Sequence, residues 1–234
     1  MKAVILAGGM GQRMRPLTYA IPKPLLPVGK RPVLEILIGQ LRAGGFDEIF
    51  LPIHYQSEMI QSYFRDGERF GVRLQYAVER EPLGTAGPIL SFRDRLTEPF
   101  LVVNGDLVTR LDFRRLYETH LAGSHDMTIA VRAWKTHVPF GVLEIDGDSV
   151  QAVCEKPVLT HYISAGIYAC NPSVMDVIPG GRRFEMPEMI SALLNAGRRV
   201  ASYPFDDYWI DLAKIDDFER AVKEIEAWDG EEDF

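Results

Sequence analysis

Short apolar runs alternate with amphipathic stretches of helical length through the first half of the chain. The runs are rich in β-branched residues and predict strands over residues 3–6, 48–53, 74–77 and 100–103. Amphipathic stretches predict helices over residues 32–43, 57–65, 85–92 and 113–121, the last of them capped by Asp112. This alternation is typical of an α/β protein in which crossover helices connect parallel strands.

Beyond Asp126 the apolar runs lie closer together. They predict strands over residues 128–131, 141–145 and 150–154, and Asp146-Gly147 supplies the turn of a hairpin. Further strands are predicted over residues 163–168 and 200–203, around a helix near residues 187–196. Asp216 with Glu219 forms a capping box that opens the last helix. We therefore expect a mixed sheet whose parallel part comes first in the chain.

The composition favours one domain with a substantial core, because 47% of the 234 residues are hydrophobic and no linker or fixed-period repeat divides them. A formal net charge of −7 argues against a broad basic face for nucleic acid or an anionic membrane. The first apolar run ends at Gly8, too early for a signal peptide, and no run reaches the roughly 18 apolar residues of a membrane span. A cytoplasmic protein is expected, with Cys154 and Cys170 as reduced core thiols.

A glycine-rich turn directly after the first predicted strand is the most informative local motif. Glycines let backbone N–H groups approach anionic oxygens, and the basic residues that follow supply the counter-charge that a polyphosphate needs. Lys23 stands between two prolines, which fix the direction in which its side chain leaves the backbone. The segment that we expect to bind phosphate comprises Leu6, Ala7, Gly8, Gly9, Gly11, Arg13 and Lys23.

Two common nucleotide motifs do not match this segment. Its glycines do not complete the pattern G-x-G-x-x-G, and no Gly-Lys-Ser/Thr follows as in a P-loop. A dinucleotide-binding protein also needs an acidic residue about 20 residues past the loop, where this chain has Pro22-Lys23-Pro24. The segment therefore argues against a dinucleotide-binding protein and against a P-loop protein.

The motif LAGGMGQRMRPLTYAIPKPLLPVGKRP resembles the signature of the sugar-1-phosphate nucleotidyltransferases. The resemblance covers nearly the whole chain, through the later blocks EREPLGTAGPIL, VNGD, EKP, AGIY and YWIDLA, in that order. It implies a Rossmann-like fold of three α/β/α layers over residues 1–234, with a nucleotide-binding half at 1–110 and a sugar-phosphate-binding half at 111–234. The chain ends soon after the last predicted helix, so we expect no appended β-helix or acyltransferase domain.

In such a reaction the sugar phosphate attacks the α-phosphorus of a nucleoside triphosphate, and catalysis consists of positioning and charge neutralisation. The resemblance implies that Arg13, Lys23, Asp106 and Lys156 are catalytic and that Asp106 and Asp211 bind Mg²⁺, a hard cation held by one or two carboxylates and substrate phosphates. It implies further nucleotide contacts at Glu79, Gly84 and Thr85. The sugar phosphate would contact Gly141, Glu155, Lys156, Ser164 and Ala165.

Glu79 bears on the choice of base, because in the resemblance its position faces the Watson–Crick edge. A carboxylate only accepts hydrogen bonds, so it suits the N1–H and N2–H₂ donors of guanine, whereas thymine and uracil present two carbonyl acceptors around one donor. Guanine is therefore favoured, as in the mannose-1-phosphate guanylyltransferases and their heptose and hexosamine relatives.

The chain departs from the family pattern at two positions: Ser164 replaces the usual Asn, and Ala213 replaces a common Gly. The first departure places recognition of a sugar hydroxyl in doubt. Two alternatives stay open, a thymidylyl- or uridylyltransferase and a catalytically silent subunit that binds a nucleotide sugar. The identity of the sugar and the oligomeric state also stay open, since no unpaired apolar stripe stands out in the sequence.

Overall fold

A mixed seven-stranded sheet forms the centre of the computed structural model, which describes residues 1–226. In chain order the strands are β1 (Lys2–Leu6), β2 (Pro27–Val28), β3 (Arg31–Pro32), β4 (Glu48–Ile53), β5 (Arg73–Val78), β6 (Phe100–Asn104), β7 (Leu107–Thr109), β8 (Met127–His137), β9 (Val142–Asp146), β10 (Ser149–Cys154), β11 (Val158–Cys170), β12 (Val200–Pro204) and β13 (Trp209–Asp211). The sheet order is β12-β8-β11-β6-β1-β4-β5.

The parallel part of the sheet comes first in the chain, as the sequence predicts. Strands β6, β1, β4 and β5 pair in parallel, β11 runs antiparallel to both β6 and β8, and β12 is parallel to β8. The α-helices are α1 (Leu17–Ala20), α2 (Val33–Ala43), α3 (Ser57–Phe64), α4 (Phe113–Ala122), α5 (Met186–Asn195) and α6 (Ile215–Glu226). The mixed α/β class is therefore confirmed.

Both faces of the central strands are buried, because successive side chains point to opposite sides of a strand. In β1, Ala3 and Ile5 belong to a core with residues of α2, α3 and α4, whereas Val4 belongs to a second core with residues of α5. The helices of the two cores therefore cover opposite faces of the sheet, which gives three α/β/α layers.

Three local predictions are wrong. Residues 87–92 form a 3₁₀ helix, with Pro88 in its first turn, where an α-helix over residues 85–92 was expected. Helix α6 begins at Ile215, so Asp216 lies inside its first turn and does not cap it. Cys170 is a buried thiol as expected, but Cys154 is exposed because it lies on a hairpin that stands in solvent.

Strands β8 and β11 continue past the sheet as a two-stranded ribbon, far beyond the short strands that the sequence predicts. Their pairing extends to His137 opposite Val158, and β9 and β10 then form the predicted hairpin around Asp146-Gly147. We call residues 133–163 the arm. Every residue of β9 and β10 is exposed, so the arm projects from the three layers.

No helix within residues 1–226 combines the length and the apolar character that crossing a membrane requires.

His120 of α4 is buried on the side of the helix that faces the central sheet. It is expected to make the free energy of unfolding depend on pH. Its ring nitrogens lie 2.9 Å from Thr128 Oγ1 and 3.2 Å from Asn171 Oδ1. Burial lowers the pKa of His120 below its usual 6.5, against the opposing effect of the hydrogen bond that its ring donates to Asn171 Oδ1. The unfolded chain therefore binds a proton more readily, so the free energy of unfolding should fall as the pH drops below about 6.5.

Urea denaturation between pH 7 and pH 5 measures this dependence. His120→Gln should flatten the pH dependence, whereas His161→Gln, at an exposed position of the arm, should leave it as in the wild type. Equal pH dependence in wild type and His120→Gln would contradict the assignment.

Candidate active site

A cleft of about 570 Å³ opens where β1 and β6 end, at the carboxyl edge of the parallel strands. This is the edge at which open α/β sheets bind ligands. Most of the predicted nucleotide contacts line it: Leu6, Gly8, Gly9, Gly11, Arg13, Lys23, Glu79, Gly84 and Thr85. Asp106 lines it as well, and Ala7 is buried beneath it.

The glycine-rich turn approaches the candidate base-binding residue closely. A Cβ atom on Gly8 would lie 2.7 Å from Glu79 Oε2, so a larger residue would displace that carboxylate. The absence of a side chain at Gly8 therefore lets the end of β1 and the end of β5 share one cleft.

Asp106 follows β6 and forms an ion pair with Lys23, which reaches it from a short 3₁₀ helix, residues 23–25. The lysine side chain is 12% exposed and the aspartate 31%, so this pair is better shielded from water than a surface ion pair. Arg13 lines the same cleft but is exposed. Two predicted cations and a predicted metal ligand thus meet within one site.

Asp211 lies beside Asp106 because β13 pairs with β7, which begins directly after Asp106. Asp211 is opposite Leu107 in that pairing, and the N–H of Leu212 donates to the carbonyl oxygen of Asp106 at 3.0 Å. Burial first, and the charge of Asp106 second, raise the pKa of Asp211 to about 6. Two carboxylates held this close repel each other unless a cation lies between them.

The Oδ1 atom of Asp211 supports a cation at this position. It is buried and has no hydrogen-bond partner among the described residues. A buried acceptor without a partner costs about 1–3 kcal/mol, a cost that ligation of a cation removes. No cluster of three or more His, Cys, Asp or Glu side chains that could hold a metal occurs within residues 1–226. The two adjacent carboxylates Asp106 and Asp211 fit a hard divalent cation, which takes few carboxylates and completes its shell with phosphate oxygens and water.

Glu79 extends into the other end of the cleft from the end of β5. Its Oε1 accepts a hydrogen bond from the N–H of Leu83 at 3.2 Å, and burial raises the pKa of Glu79 above its usual value. The Oε2 atom lies toward Gly8, on the side of the cleft. The carboxylate is thus oriented by one backbone donor and keeps acceptor capacity for a ligand.

The loop that carries Gly84 and Thr85 is clamped to the start of α5. Glu185 Oε2 accepts hydrogen bonds from the Thr85 backbone N–H at 3.0 Å and from its hydroxyl at 2.9 Å. Phe184 donates its N–H to Leu83 and accepts hydrogen bonds from the N–H groups of residues 86 and 87. Segments about 100 residues apart in the chain thus hold one wall of the cleft.

Gly84→Ala is expected to destabilise this wall strongly. Gly84 has a φ of +84°, and an added Cβ would lie 2.6 Å from the carbonyl oxygen of Phe184. The free energy of unfolding should fall by about 2 kcal/mol, measured by urea denaturation.

The matched control is Gly180→Ala, whose added Cβ has no heavy atom within 4 Å. It should change stability by less than about 0.5 kcal/mol. Equal losses in the two variants would mean that the contact with Phe184 is not what requires glycine.

The predicted sugar-phosphate contacts separate into two places, and none of them lines the cleft within the described part of the chain. Gly141, Glu155 and Lys156 meet at the base of the hairpin, where the Lys156 N–H donates to the carbonyl of Phe140 at 3.2 Å. Lys156 Nζ is 3.8 Å from Glu155 Oε1, and both side chains are about 70% exposed. Lys156 also has a positive φ of 47°, which is uncommon for a lysine.

Ser164 and Ala165 lie on β11, at an irregularity in its pairing with β8. The Ser164 hydroxyl donates to Tyr168 Oη at 3.0 Å, and the Ala165 carbonyl accepts from the Trp209 indole N–H at 2.9 Å. The next residue, Gly166, packs against Asn104, a cleft residue. Ser164 and Ala165 therefore adjoin the cleft through Asn104.

The cleft residues that sequence reasoning missed include three polar ones, Asn104, Arg183 and Glu185. Arg183 Nε donates to Glu185 Oε1 at 2.7 Å at the cleft mouth. One signal was available in the sequence, because Glu185 and Glu188 have the spacing of a capping box and the structure contains that box at the start of α5. A capping residue is held in place, which makes Glu185 a firm anchor for Thr85.

Comparison with known proteins adds a family assignment to this geometry. A model of the family described as nucleotidyl transferase matches residues 2–227. A UTP--glucose-1-phosphate uridylyltransferase of Synechocystis sp. is 33% identical over 96% of this chain, which spans 63% of that protein's length. A D-glycero-alpha-D-manno-heptose 1-phosphate guanylyltransferase of Aneurinibacillus thermoaerophilus is 31% identical over 97% of this chain and all of its own length.

A solved structure is also similar along nearly the whole chain. HddC from Yersinia pseudotuberculosis, complexed with GMP-PN, has a TM-score of 0.75 and 26% sequence identity, and the match covers 96% of this chain and 99% of that one. The three-layer fold around the cleft is thus shared with a protein whose structure is a complex with GMP-PN.

Proposed function

We propose that this chain, which belongs to the nucleotidyl transferase family, transfers a guanylyl group from GTP to a sugar 1-phosphate. The products are a GDP-sugar and pyrophosphate. The sugar is of the mannose, heptose or hexosamine type. The observation that carries the proposal is the cleft, which combines a cationic phosphate loop, Asp106 and an oriented acceptor at Glu79. Asp211, with its unpaired buried oxygen, lies directly behind Asp106 through the pairing of β13 with β7.

The reaction needs two anions to be brought together in line. An oxygen of the sugar phosphate attacks the α-phosphorus of GTP, and the bond between that phosphorus and the bridging oxygen of the β-phosphate breaks. Arg13 and Lys23 line the cleft and would neutralise triphosphate oxygens bound there, and the turn from Gly8 to Gly11 offers backbone N–H groups. No covalent intermediate with the enzyme is required.

Asp106 and Asp211 are the residues that would hold Mg²⁺. When bound there, the ion supplies positive charge to the phosphate oxygens. Lys23 holds Asp106 in place by direct pairing, and the pairing of β13 with β7 holds Asp211 beside it.

Glu79 supports guanine as the base. Its carboxylate has acceptor capacity on the side toward Gly8, where it can receive the N1–H and N2–H₂ groups of a guanine. The uridylyltransferase relative favours the alternative of a pyrimidine nucleotide. That alternative requires a different hydrogen-bond pattern at the same residue.

The proposed sugar-phosphate contacts lie in two separate places. Lys156, Glu155 and Gly141 stand together on the arm and would meet the acceptor sugar phosphate from there, with Ser164 and Ala165 on the side of Asn104.

The proposed division into halves at residue 110 stays a prediction, since Glu185 and Arg183 of the second half also line the nucleotide cleft. The last residues of the proposed second half, 227–234, lie outside the described part of the chain. A cytoplasmic location stays a prediction from the sequence.

Release of pyrophosphate tests the function. The purified protein is incubated with MgCl₂ and each pair formed from GTP, UTP or dTTP and mannose, heptose, glucosamine or glucose 1-phosphate. We expect release with GTP and one of the first three sugars. Release with UTP or dTTP and not GTP would overturn the choice of guanine, and no release from any pair would favour the silent binding subunit.

A further inference from the structure

The glycine-rich segment of residues 8–12, which we call the phosphate turn, lines the cleft with few contacts of its own. Gly9, Met10 and Gln12 are exposed, and a Cβ atom on Gly9 would have no heavy atom within 4 Å. Three glycines in five residues also give the backbone more freedom than other residues would. Such a turn binds a triphosphate in one fixed arrangement only if another segment supports it.

Thr18 of α1 supports the phosphate turn through its hydroxyl. Thr18 Oγ1 donates a hydrogen bond to the carbonyl oxygen of Gly11 at 2.8 Å, and the residue is 1% exposed. The other hydrogen bonds of the phosphate turn within the described chain are local, made among residues 10–15. The bond from Thr18 therefore fixes the turn to a separate element.

The same threonine packs directly against Gly11. Gly11 has a left-handed φ of +59°, and an added Cβ would lie 2.7 Å from Thr18 Cγ2 and 3.3 Å from Lys23 Cβ. The stem of the lysine that pairs with Asp106 thus meets the phosphate turn at the same glycine. Thr18 therefore helps to set where the turn lies relative to Lys23.

Thr18 is itself anchored to the residues that follow β4 of the central sheet. The Tyr55 hydroxyl donates to the carbonyl oxygen of Thr18 at 3.0 Å, and Gln56 Nε2 donates to the carbonyl oxygen of Tyr19 at 3.1 Å. Strand β4 pairs in parallel with β1, the strand that leads into the phosphate turn. A path of hydrogen-bonded groups thus runs from the end of β4 through Tyr55 and Thr18 to Gly11.

The bond from Thr18 also sets the direction of one peptide group in the turn. In a trans peptide the C=O and the N–H point in opposite directions, so a Gly11 carbonyl held toward Thr18 directs the N–H of Gln12 to the opposite side. Gln12 lines the cleft, and its N–H makes no backbone hydrogen bond within residues 1–226. This N–H is therefore available to a phosphate oxygen.

We propose that Thr18 is a positioning residue for the nucleotide, whose hydroxyl holds Gly11 so that the phosphate turn is preorganised for a triphosphate. The inference rests on the proposed function, because it concerns the turn that binds the triphosphate there. Thr18 does not line the cleft, so its effect passes through Gly11. A preorganised turn loses less entropy on binding, so removal of the hydroxyl should lower the affinity for the nucleotide.

Isothermal titration calorimetry of the full chain tests this role, with MgCl₂ and the nucleoside triphosphate that the wild type binds. Thr18→Val keeps nearly the same shape but loses the hydroxyl, and it should raise the dissociation constant at least about tenfold. Thr18→Ser keeps the hydroxyl and should stay within about threefold of the wild type. A role in packing alone predicts the reverse order, because Ser lacks the methyl group that Val keeps.

Steady-state pyrophosphate release separates positioning from a loss of folded protein. Thr18→Val should raise the KM for the nucleoside triphosphate and leave the KM for the sugar 1-phosphate within about twofold. A smaller folded fraction would instead lower the apparent kcat and leave both KM values unchanged.

The matched control is Thr128→Val. Thr128 is 2% exposed, its hydroxyl lies 2.9 Å from His120 Nδ1, and it is not among the residues that line the cleft. This variant should bind the nucleotide as the wild type does. Circular dichroism checks that both valine variants are folded.

Tyr55→Phe tests the anchor, because it removes the hydroxyl that donates to Thr18. It should raise the dissociation constant about threefold or more. Since both changes act along one path, Tyr55→Phe combined with Thr18→Val should raise the constant little beyond Thr18→Val alone. A double variant whose increase equals the product of the two single increases would overturn the path through Tyr55.

The role of Thr18 would be overturned by a Thr18→Val variant that binds as tightly as the wild type, by equal weakening in Thr18→Ser, or by equal weakening in Thr128→Val. None of these results touches the proposed function if the wild type releases pyrophosphate. A wild type that binds the nucleotide without releasing pyrophosphate would overturn the proposed function alone, because calorimetry still tests Thr18. A wild type that does neither would overturn both.

Discussion

Replacing Asp106 by Asn should lower the rate of pyrophosphate release by at least about 10³-fold while the fold is retained. Asn has nearly the same shape as Asp but carries no charge, so the cation site would lose one of two carboxylates and Lys23 would lose its partner. Asp106 is also one of two groups that raise the pKa of Asp211, so in this variant the buried carboxylate ionises more readily but stands alone. Steady-state release with GTP, MgCl₂ and the accepted sugar 1-phosphate is the measurement.

Binding of Mn²⁺, followed by electron paramagnetic resonance, separates the metal role from a structural one. Asp106→Asn should weaken Mn²⁺ binding in the presence of nucleotide, while circular dichroism shows that the variant is folded at the assay temperature. The control is Asp176→Asn, which removes a half-exposed aspartate paired with Arg93 on the surface and should leave turnover and Mn²⁺ binding as in the wild type. Wild-type turnover in Asp106→Asn would show that the metal assignment is wrong.

Replacing Glu79 by Gln should lower kcat/KM for GTP by about 10²-fold and reduce the preference for guanine over uracil. The carboxylate can accept from both N1–H and N2–H₂ of guanine, whereas the amide of Gln offers one acceptor and places a donor against the base. Burial raises the pKa of Glu79, so the assays are best run near pH 8, where the carboxylate is ionised.

Inosine triphosphate, which lacks the N2 amino group, makes this test specific. The wild type should prefer GTP to ITP by about tenfold or more, and Glu79→Gln should use the two nucleotides almost equally. Glu81→Gln is the control, since Glu81 is exposed, two residues away and outside the cleft lining. A preference for GTP over ITP that survives in Glu79→Gln would mean that another group reads the base.

Local pattern accounts for most of what could be predicted of the fold. The four strands predicted in the first half and the helices α2, α3 and α4 agree with their predicted ranges to within a residue or two, because each has a clear hydrophobic period and Asp112 accepts from the N–H of Arg115 as a cap. The short strands β2, β3 and β7 were not predicted. Residues 85–92 show the same apolar signal, but Pro88 and the clamp to Phe184 hold them as a 3₁₀ helix. Contact with a segment about 100 residues away overrides propensity there.

The residues of the candidate site likewise comprise some that the sequence could predict and some that it could not. The glycine turn and Lys23 could be read from a short window, since glycine freedom, positive charge and proline rigidity are properties of neighbouring residues. Arg183 and Glu185 could not, because nothing near them in the sequence says that they return to the wall formed by Gly84 and Thr85.

By itself, the amino-acid sequence determined the order of the longer strands and of most helices, the mixed α/β class and the chemistry of the phosphate turn, because these depend on the spacing and type of neighbouring residues. The tertiary structure alone decided that Asp211 stands beside Asp106 with an unpaired oxygen, and that Cys154 and the strands of its hairpin are exposed. Strand pairing and burial are set by contacts between distant segments, and hydrophobic pattern alone does not distinguish a strand covered by a helix from one that stands in solvent.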